Sequence, residues 1–533
     1  MGRMERLKRQ LLVTFVLMSC VSNIAMAQGS CEDIVEVDRF RHLRQLSLDF
    51  FERVPTVDEL NQLHSRSSVS DEQISTMVNS EEFSHFIRRY HKELLWPQVN
   101  IEDFVGPGIS LLLPASFFTG VANEERLFIV FVGIYERGGI VPCLNEPAEF
   151  DQDGQPILKL QPDGTLREGY VMVKPYWAPG TEIKVCALEA RLKAVANNGE
   201  SCDSAGGMTT GTCGCGIGLR HCMGIVAAQT VQYSLQEQLL RMVEGPIAEG
   251  RSYFDILTEA VEQLNGPLVH FYRFQVQMAV DPIIQFPPVP VYKLPTDISY
   301  TDQSWKAYPR SKEHSGVLTS LSYLLRFQTP RARANRFYDA FFCSPFQAPD
   351  VALPSPSDAC SQEPDLRLRC GCSMCHAQLE PAAAYWARFS DAGSMYLDPA
   401  YFPVFSQKCA DCANNPMVPC DFICDRFYLT QIGHPDEASW IGTLRSFEFR
   451  DENEIAKATG GPALLVEESI QDGRLPKCTV NKLFERLIRR PMKPDELKNL
   501  RPQLIAQFEE SGFDFRALVR AIVMTEAYRR LVR

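Results

Sequence analysis

The sequence lacks the short motifs that identify common enzyme classes. It contains no Walker phosphate-binding loop, no G-x-S-x-G nucleophile motif and no H-E-x-x-H zinc motif. Among its 66 acidic residues, no pair of carboxylates can be singled out as a catalytic couple. No catalytic residue is therefore predicted, although this absence alone does not exclude a hydrolase.

Long basic or apolar runs are also scarce beyond the N-terminus. The formal net charge is −12, and no basic block is long enough to indicate nucleic acid or an anionic membrane as a partner. The most apolar later run, residues 127–134, is far shorter than the roughly 20 residues that a membrane-spanning helix needs. We therefore expect no nucleic-acid partner and no transmembrane span. The mildly acidic surface is compatible with a basic redox partner protein, whose identity remains unknown.

The N-terminus has the features of an export signal. Basic residues between positions 3 and 9 precede an apolar run at 11–18, and Ala25-Met26-Ala27 has the small residues of a cleavage site. These features predict a signal peptide over residues 1–27. In an alternative interpretation residues 17–20 form a loose lipoprotein box, and Cys20 carries a lipid anchor. Both alternatives predict export to the periplasm, the cell surface or the medium.

One motif carries most of the functional argument. Residues 372–376 read C-S-M-C-H, the attachment signal of c-type haem. Cys372 and Cys375, one helical turn apart, can bond to the two vinyl groups of a porphyrin, and His376 can then ligate the iron. A disulfide or a metal knot is the alternative, because the chain is rich in cysteine and Cys370 lies close by. The motif predicts one covalent haem c and an electron-transfer protein rather than an enzyme.

The sequence alone does not identify the sixth ligand of the iron. Met395 and Met417 are the candidates, and a methionine ligand raises the potential of the iron. Each could equally be a core methionine. If neither binds, the iron is five-coordinate or ligated by a second histidine such as His434. A haem enzyme of the peroxidase kind would have an open site, and a disulfide-stabilised surface protein would have no haem.

The other cysteines are expected to form disulfides in an exported protein. Two clusters, at residues 202–222 and 409–424, also have spacings that would suit zinc. Setting aside Cys20, Cys372 and Cys375 leaves an odd number of the 18 cysteines, so one thiol should lack a partner within the chain. The pairing itself cannot be deduced from the sequence.

Several segments, in order, resemble the planctomycete-type cytochrome-c-domain proteins, large exported bacterial proteins mostly of unknown function. The N-terminal match is Leu46-Ser47-Leu48-Asp49 followed by Arg53-Val54-Pro55-Thr56, and Glu380-Pro381 follows the haem motif where that family usually has an acidic residue and proline. Residues 314–343 are similar to the family segment that leads into its haem motif. The resemblance implies helical modules on both sides of a cytochrome-c-like segment.

The expected fold is mainly α, with several domains, a small β-rich insert and a cytochrome-c-like segment. Capping boxes at Thr56 and Ser70 predict two helix starts. Residues 161–164 predict a turn joining strands at 157–160 and 170–173. The predicted modules are the signal peptide, an N-terminal helical module at 28–100, an irregular or β-rich cysteine-containing insert at 101–230, a helical module with a proline-rich strap at 231–310, the cytochrome-c-like segment at 311–435 and a C-terminal helical module at 436–533.

Overall fold

The computed structural model describes residues 34–36, 38–101, 143–202, 204, 207, 212–275, 289–346, 350, 354–391, 393–415 and 417–532. The predicted signal peptide and Cys20 lie outside these residues. Within these residues helices far outnumber strands, and each sheet has only two strands, so the mainly α prediction is confirmed. Within the described part of the chain, no helix is long and apolar enough to cross a membrane.

The helices are spread along the chain. They are α1 Arg39–Phe51, α2 Val57–His64, α3 Asp71–Val78, α4 Ser84–Leu95, α5 Ile225–Ala248, α6 Asp255–Thr258, α7 Gly266–Phe274, α8 Leu321–Arg326, α9 Pro330–Phe342, α10 Ser373–Ala383, α11 Gln407–Asn414, α12 Phe422–Phe427, α13 Glu452–Gln471, α14 Arg474–Ile488, α15 Arg501–Glu510, α16 Phe515–Val523 and α17 Glu526–Arg529. A π-helical segment, Glu496–Leu500, precedes α15. The predicted module boundary between residues 230 and 231 falls within α5.

The helix starts follow local sequence signals. The side chains of Thr56 and Ser70 each accept a hydrogen bond from the third helical residue, and the side chains of Glu59 and Gln73 bond back. Both predicted capping boxes are therefore confirmed. Gly512, with φ +71°, follows the end of α15, where a left-handed residue is needed.

The strands form four antiparallel pairs. They are β1 Ile34–Glu36 with β8 Arg530–Val532, β2 Lys159–Leu160 with β3 Leu166–Arg167, β4 Tyr170–Val173 with β5 Ile183–Cys186, and β6 Val261–Leu264 with β7 Lys306–Pro309. The last pair includes the C-terminal end of the predicted proline-rich strap.

The predicted hairpin has the right turn but the wrong second strand. Gly164 N donates to the Gln161 carbonyl, and Gln161 N donates to the Thr165 carbonyl, so Leu166 lies opposite Leu160. β4 pairs with β5 instead. At Gly169 a Cβ atom would lie 2.4 Å from the Glu146 carbonyl oxygen, so this glycine allows a close backbone approach that redirects the chain.

The chain divides into two compact units. One unit comprises Met1–Phe86, Phe484–Pro491 and Val519–Arg533, and its described part has an aromatic core in which Phe50 packs edge-on against Phe83. Buried Asp49 accepts hydrogen bonds from Arg489, at 2.6 Å, and from the Tyr528 hydroxyl, at 2.7 Å. This carboxylate joins the first helix of the unit to its C-terminal segments.

The second unit comprises Ile87–Leu483 and Met492–Leu518. Its long helix α5 packs against α6, α7, α8 and β6. Further along the chain, α9 packs against α10, and Arg333 of α9 is fully buried. Its guanidinium donates to the carbonyls of Phe389, Ser390 and Gly393, at 3.0, 3.0 and 2.6 Å. This arginine fixes the chain that follows α10.

Candidate haem-attachment site

The C-S-M-C-H motif opens helix α10. Cys372 is the N-cap residue, and the backbone N–H groups of Cys375 and His376 both donate to its carbonyl, at 3.1 and 2.9 Å. Gly371, with φ +80°, turns the chain into the helix. The two sulfur-bearing residues therefore stand one turn apart on a helix, as the sequence predicted, and His376 is the next residue of that turn.

The disulfide pattern separates these two cysteines from the others. Cys372 and Cys375 are not disulfide-bonded and are partly exposed, whereas every other cysteine in the described ranges is in a bridge. The bridges are Cys143–Cys186, Cys202–Cys213, Cys215–Cys222, Cys343–Cys478, Cys360–Cys370, Cys409–Cys424 and Cys412–Cys420. The disulfide prediction is confirmed for both clusters that could have bound zinc. Cys20 and Cys31 lie outside the described residues, so the expected thiol without a partner stays a prediction.

Because Cys370 is in the bridge nearest to the motif, it does not pair with Cys372 or Cys375. Cys370 is bonded to Cys360, and its backbone N–H also donates to the Cys360 carbonyl, at 3.1 Å. The neighbouring cysteine that made a disulfide knot plausible on the sequence therefore has a partner elsewhere. Seven disulfides indicate that the protein resides in an oxidising compartment.

The ring of His376 is held by a carboxylate. Its Nδ1 lies 2.6 Å from Oε1 of Glu380, one helical turn later on α10. The side chain of Glu380 is only 11 % exposed and that of His376 is 22 % exposed. Such a contact fixes the imidazole with its proton on Nδ1 and leaves Nε2 as the ligand nitrogen. This is the arrangement that a metal-ligating histidine usually has.

Glu380 also bonds to a charged side chain on another helix. Nε of Arg331, on α9, donates to the same Oε1 at 2.6 Å. Burial alone raises the pKa of Glu380, but the hydrogen bonds from Arg331 and His376 outweigh it and hold the pKa below its usual range. Glu380 is therefore an ionised acceptor shared by a guanidinium and an imidazole.

A charged cavity of about 290 Å³ lies behind this carboxylate. Arg450 donates to the backbone carbonyl of Glu380 at 2.9 Å and to the Glu454 carboxylate at 3.0 Å. Arg367 also bonds to Glu454, at 2.8 Å. The ionisable lining residues are Arg331, Asp365, Arg367, Glu380, Asp391, Glu437, Arg445, Glu448, Arg450 and Glu454. A porphyrin ring needs an apolar pocket, so this cavity supports Glu380 rather than housing the ring.

The predicted sixth ligands have different environments. Met395 is 1 % exposed and belongs to an apolar cluster with Leu397, Phe427 and Phe447. Met417 is 87 % exposed, between the cysteines of the Cys412–Cys420 bridge. His434 caps a 3₁₀ turn, where its Nδ1 accepts from Asp436 N at 3.2 Å.

The donor set at the motif fits a c-type haem. Two thiols outside the disulfide set, one turn apart, are followed by an imidazole whose Nδ1 is already engaged. Leu368 and Met374, which flank Cys372 in the chain, expose 67 % and 57 % of their surface, and an apolar ring could cover such side chains. A bare disulfide pair would require neither the oriented histidine nor its buried carboxylate.

Sequence reasoning missed the supporting charges around His376. The spacing of four residues between His376 and Glu380 on one helix was a usable signal, because such residues are neighbours on the helix surface. Arg331 and Arg450 come from distant segments, and nothing local in the sequence marks them.

Comparisons with known proteins give no assignment. No model of a protein family matches the chain, and searches of curated proteins and of solved structures find no match.

Proposed function

We propose that the protein is an exported c-type cytochrome that carries one covalent haem and transfers single electrons in the periplasm or at the cell surface. One observation carries the proposal. Of the cysteines in the described ranges, the two outside disulfides are the two of the C-x-x-C-H motif, and the adjacent histidine is oriented by a buried carboxylate.

The chemistry of attachment needs only groups that the motif provides. Each thiol adds across a vinyl double bond: a sulfur–carbon bond forms, the hydrogen goes to the other vinyl carbon, and no oxidant is consumed. Cys372 and Cys375 would supply the two thioethers, and Nε2 of His376 would ligate the iron. When bound, the haem supplies reversible exchange of one electron. The protein's part is to hold the ring and set the iron's surroundings.

The location is part of the same proposal. Haem of this type is attached outside the cytoplasm, and an oxidising compartment agrees with the seven disulfides. Cleavage after Ala27 would release the chain into the periplasm or medium, whereas lipidation at Cys20 would hold it at a membrane. The redox partner is expected to be a protein.

The test is expression in a host with working c-type haem maturation, followed by denaturation in SDS and staining of the gel for haem. The wild-type band should retain haem, and Cys372→Ala/Cys375→Ala should lose it. The matched control is Cys360→Ala/Cys370→Ala, which removes a neighbouring cysteine pair and should keep the stain. A colourless wild-type protein in such a host would contradict the proposal and favour a disulfide-stabilised surface protein.

A haem enzyme is the second candidate, and the burial of Met395 favours it. That methionine lies within an apolar cluster, where it serves as a core side chain. An iron with neither a methionine nor a second histidine as sixth ligand would bind small anions such as cyanide at its open position. Cyanide binding can be monitored by absorption spectroscopy. Rapid binding would support the haem-enzyme function, whereas slow or weak binding would support a six-coordinate electron carrier.

A further inference from the structure

The contact between His376 and Glu380 places a negative charge next to the proposed iron ligand. Oε1 of Glu380 lies 2.6 Å from Nδ1 of His376, and the carboxylate is almost completely enclosed by protein. Electrostatic interactions are stronger at such a site than in water because the local dielectric is lower. The charge can therefore act on whatever His376 binds.

The carboxylate is held from several directions. Its position on α10 sets the distance to His376, and Arg450 bonds to its backbone carbonyl. Arg450 is itself anchored to Glu454, and both side chains are less than 10 % exposed. The backbone of Glu380 is therefore fixed, and its carboxylate is held by the hydrogen bonds to His376 and Arg331.

A positive charge also contacts the carboxylate. Nε of Arg331 lies 2.6 Å from the same Oε1, and the Arg331 side chain is half exposed. Because imidazole and guanidinium share one acceptor oxygen, electron density given to one is withdrawn from the other. The three groups are connected through this one oxygen of Glu380, which both His376 and Arg331 contact.

We propose that Glu380 is a positioning residue that keeps Nε2 of His376 directed at the iron and lowers the reduction potential of the bound haem, and that Arg331 acts in the opposite sense. This inference rests on the proposed function. A carboxylate bonded to Nδ1 makes the imidazole a stronger base, and a stronger base stabilises the more highly charged ferric iron. The guanidinium weakens that effect by drawing the carboxylate toward itself.

The experiment uses the full chain with covalent haem and measures midpoint potentials by potentiometry. In Glu380→Gln the amide has nearly the same shape without the charge, and the potential should become more positive. A tenfold change in the ferric-to-ferrous equilibrium corresponds to 59 mV for one electron, and at least that shift is expected. In Arg331→Gln the potential should become more negative than in the wild type.

Glu437→Gln is the matched control. Glu437 lines the same cavity, but its carboxylate bonds to the backbone N–H groups of Gly433 and His434 instead of to His376. The midpoint potential of Glu437→Gln should stay within a few millivolts of the wild-type value. This result would show that losing a nearby carboxylate is not sufficient to shift the potential.

The outcomes are distinguishable. Wild-type protein without covalent haem overturns the proposed function and this inference with it. Haem-loaded proteins with equal potentials overturn the inference alone. Shifts in the same direction for Glu380→Gln and Arg331→Gln would also overturn it, because a general disturbance of packing has no reason to change sign. If Glu380→Gln fails to fold, the half-exposed Arg331 still provides a decisive measurement.

Discussion

Removing the Cys343–Cys478 disulfide should destabilise the protein more than removing a short bridge. The two cysteines are 135 residues apart, the largest separation among the described bridges. Cys343 ends α9, and Cys478 lies in α14 with 2 % of its surface exposed. The loop that they close contains the haem motif. Replacing both residues with serine removes the cross-link and frees this loop in the unfolded chain.

The magnitude follows from the entropy of closing a loop. For this separation the chain-entropy relation gives about 5 kcal/mol at 25 °C. The inner bridges Cys360–Cys370 and Cys409–Cys424 shorten the effective loop, but the dependence is logarithmic, so they lower the value by only about 0.2 kcal/mol. The same relation gives about 2.5 kcal/mol for Cys412–Cys420, whose separation is 8 residues.

The assay is urea unfolding monitored by far-ultraviolet circular dichroism. It compares the wild type with Cys343→Ser/Cys478→Ser and Cys412→Ser/Cys420→Ser. The long-bridge variant should lose about 2.5 kcal/mol more of its unfolding free energy than the short-bridge variant. Both variants make the same two cysteine-to-serine replacements, and among the four replaced residues only Cys478 is fully buried. Equal losses in the two variants would refute the loop-entropy reasoning and point instead to local packing around each sulfur.

Three further predictions concern buried polar groups of the second unit. Burial lowers the pKa of His91 to about 4, so stability should fall as the pH drops from 6.5 toward 4, by about 3 kcal/mol in all, and His91→Gln should flatten that slope in urea titrations. Burial raises the pKa of Glu262 to about 7, so its protonated form favours the fold. Stability should therefore fall between pH 4.5 and 7, by about 3 kcal/mol, and Glu262→Gln should abolish that loss. Arg333→Met leaves buried carbonyls without a donor and should cost at least about 3 kcal/mol in urea unfolding.

Each of these predictions has a contrary result. An unchanged pH dependence in His91→Gln would mean that His91 has the same pKa in the folded and the unfolded chain, so that it takes up its proton without loss of stability. A Glu262→Gln protein less stable than the wild type at pH 8 would show that the ionised carboxylate is stabilised by Arg310. A loss below about 1 kcal/mol in Arg333→Met would mean that the carbonyls find water instead.

Features set by neighbouring residues could be predicted from the sequence. The boxes at Thr56 and Ser70 depend on residues three positions apart, and the motif at 372–376 needs only one helical turn. The turn at 161–164 was predicted for the same reason. Its partner strand was not, because the choice depends on Gly169 meeting the distant backbone of Glu146.

Features that depend on distant segments could not be predicted. Fourteen cysteines can pair in many ways, and only the fold selects Cys343 with Cys478. Met395 could have been a ligand or a core residue, because a thioether suits both, and its burial among Leu397 and Phe427 emerges only in three dimensions. Arg331 reaches Glu380 from another helix, so its role depends on how α9 packs against α10.

If the protein carries the proposed haem, the bridge between Cys360 and Cys370 must form without using the two thiols of the motif. Four cysteines lie within residues 360–375, and four cysteines allow three pairings into two bridges. A bridge from Cys370 to Cys372 or Cys375 would consume a thiol that haem attachment requires. Under the proposed function, the yield of mature protein would depend on how often Cys360 pairs with Cys370, and an isomerase that reopens wrong bridges would raise it.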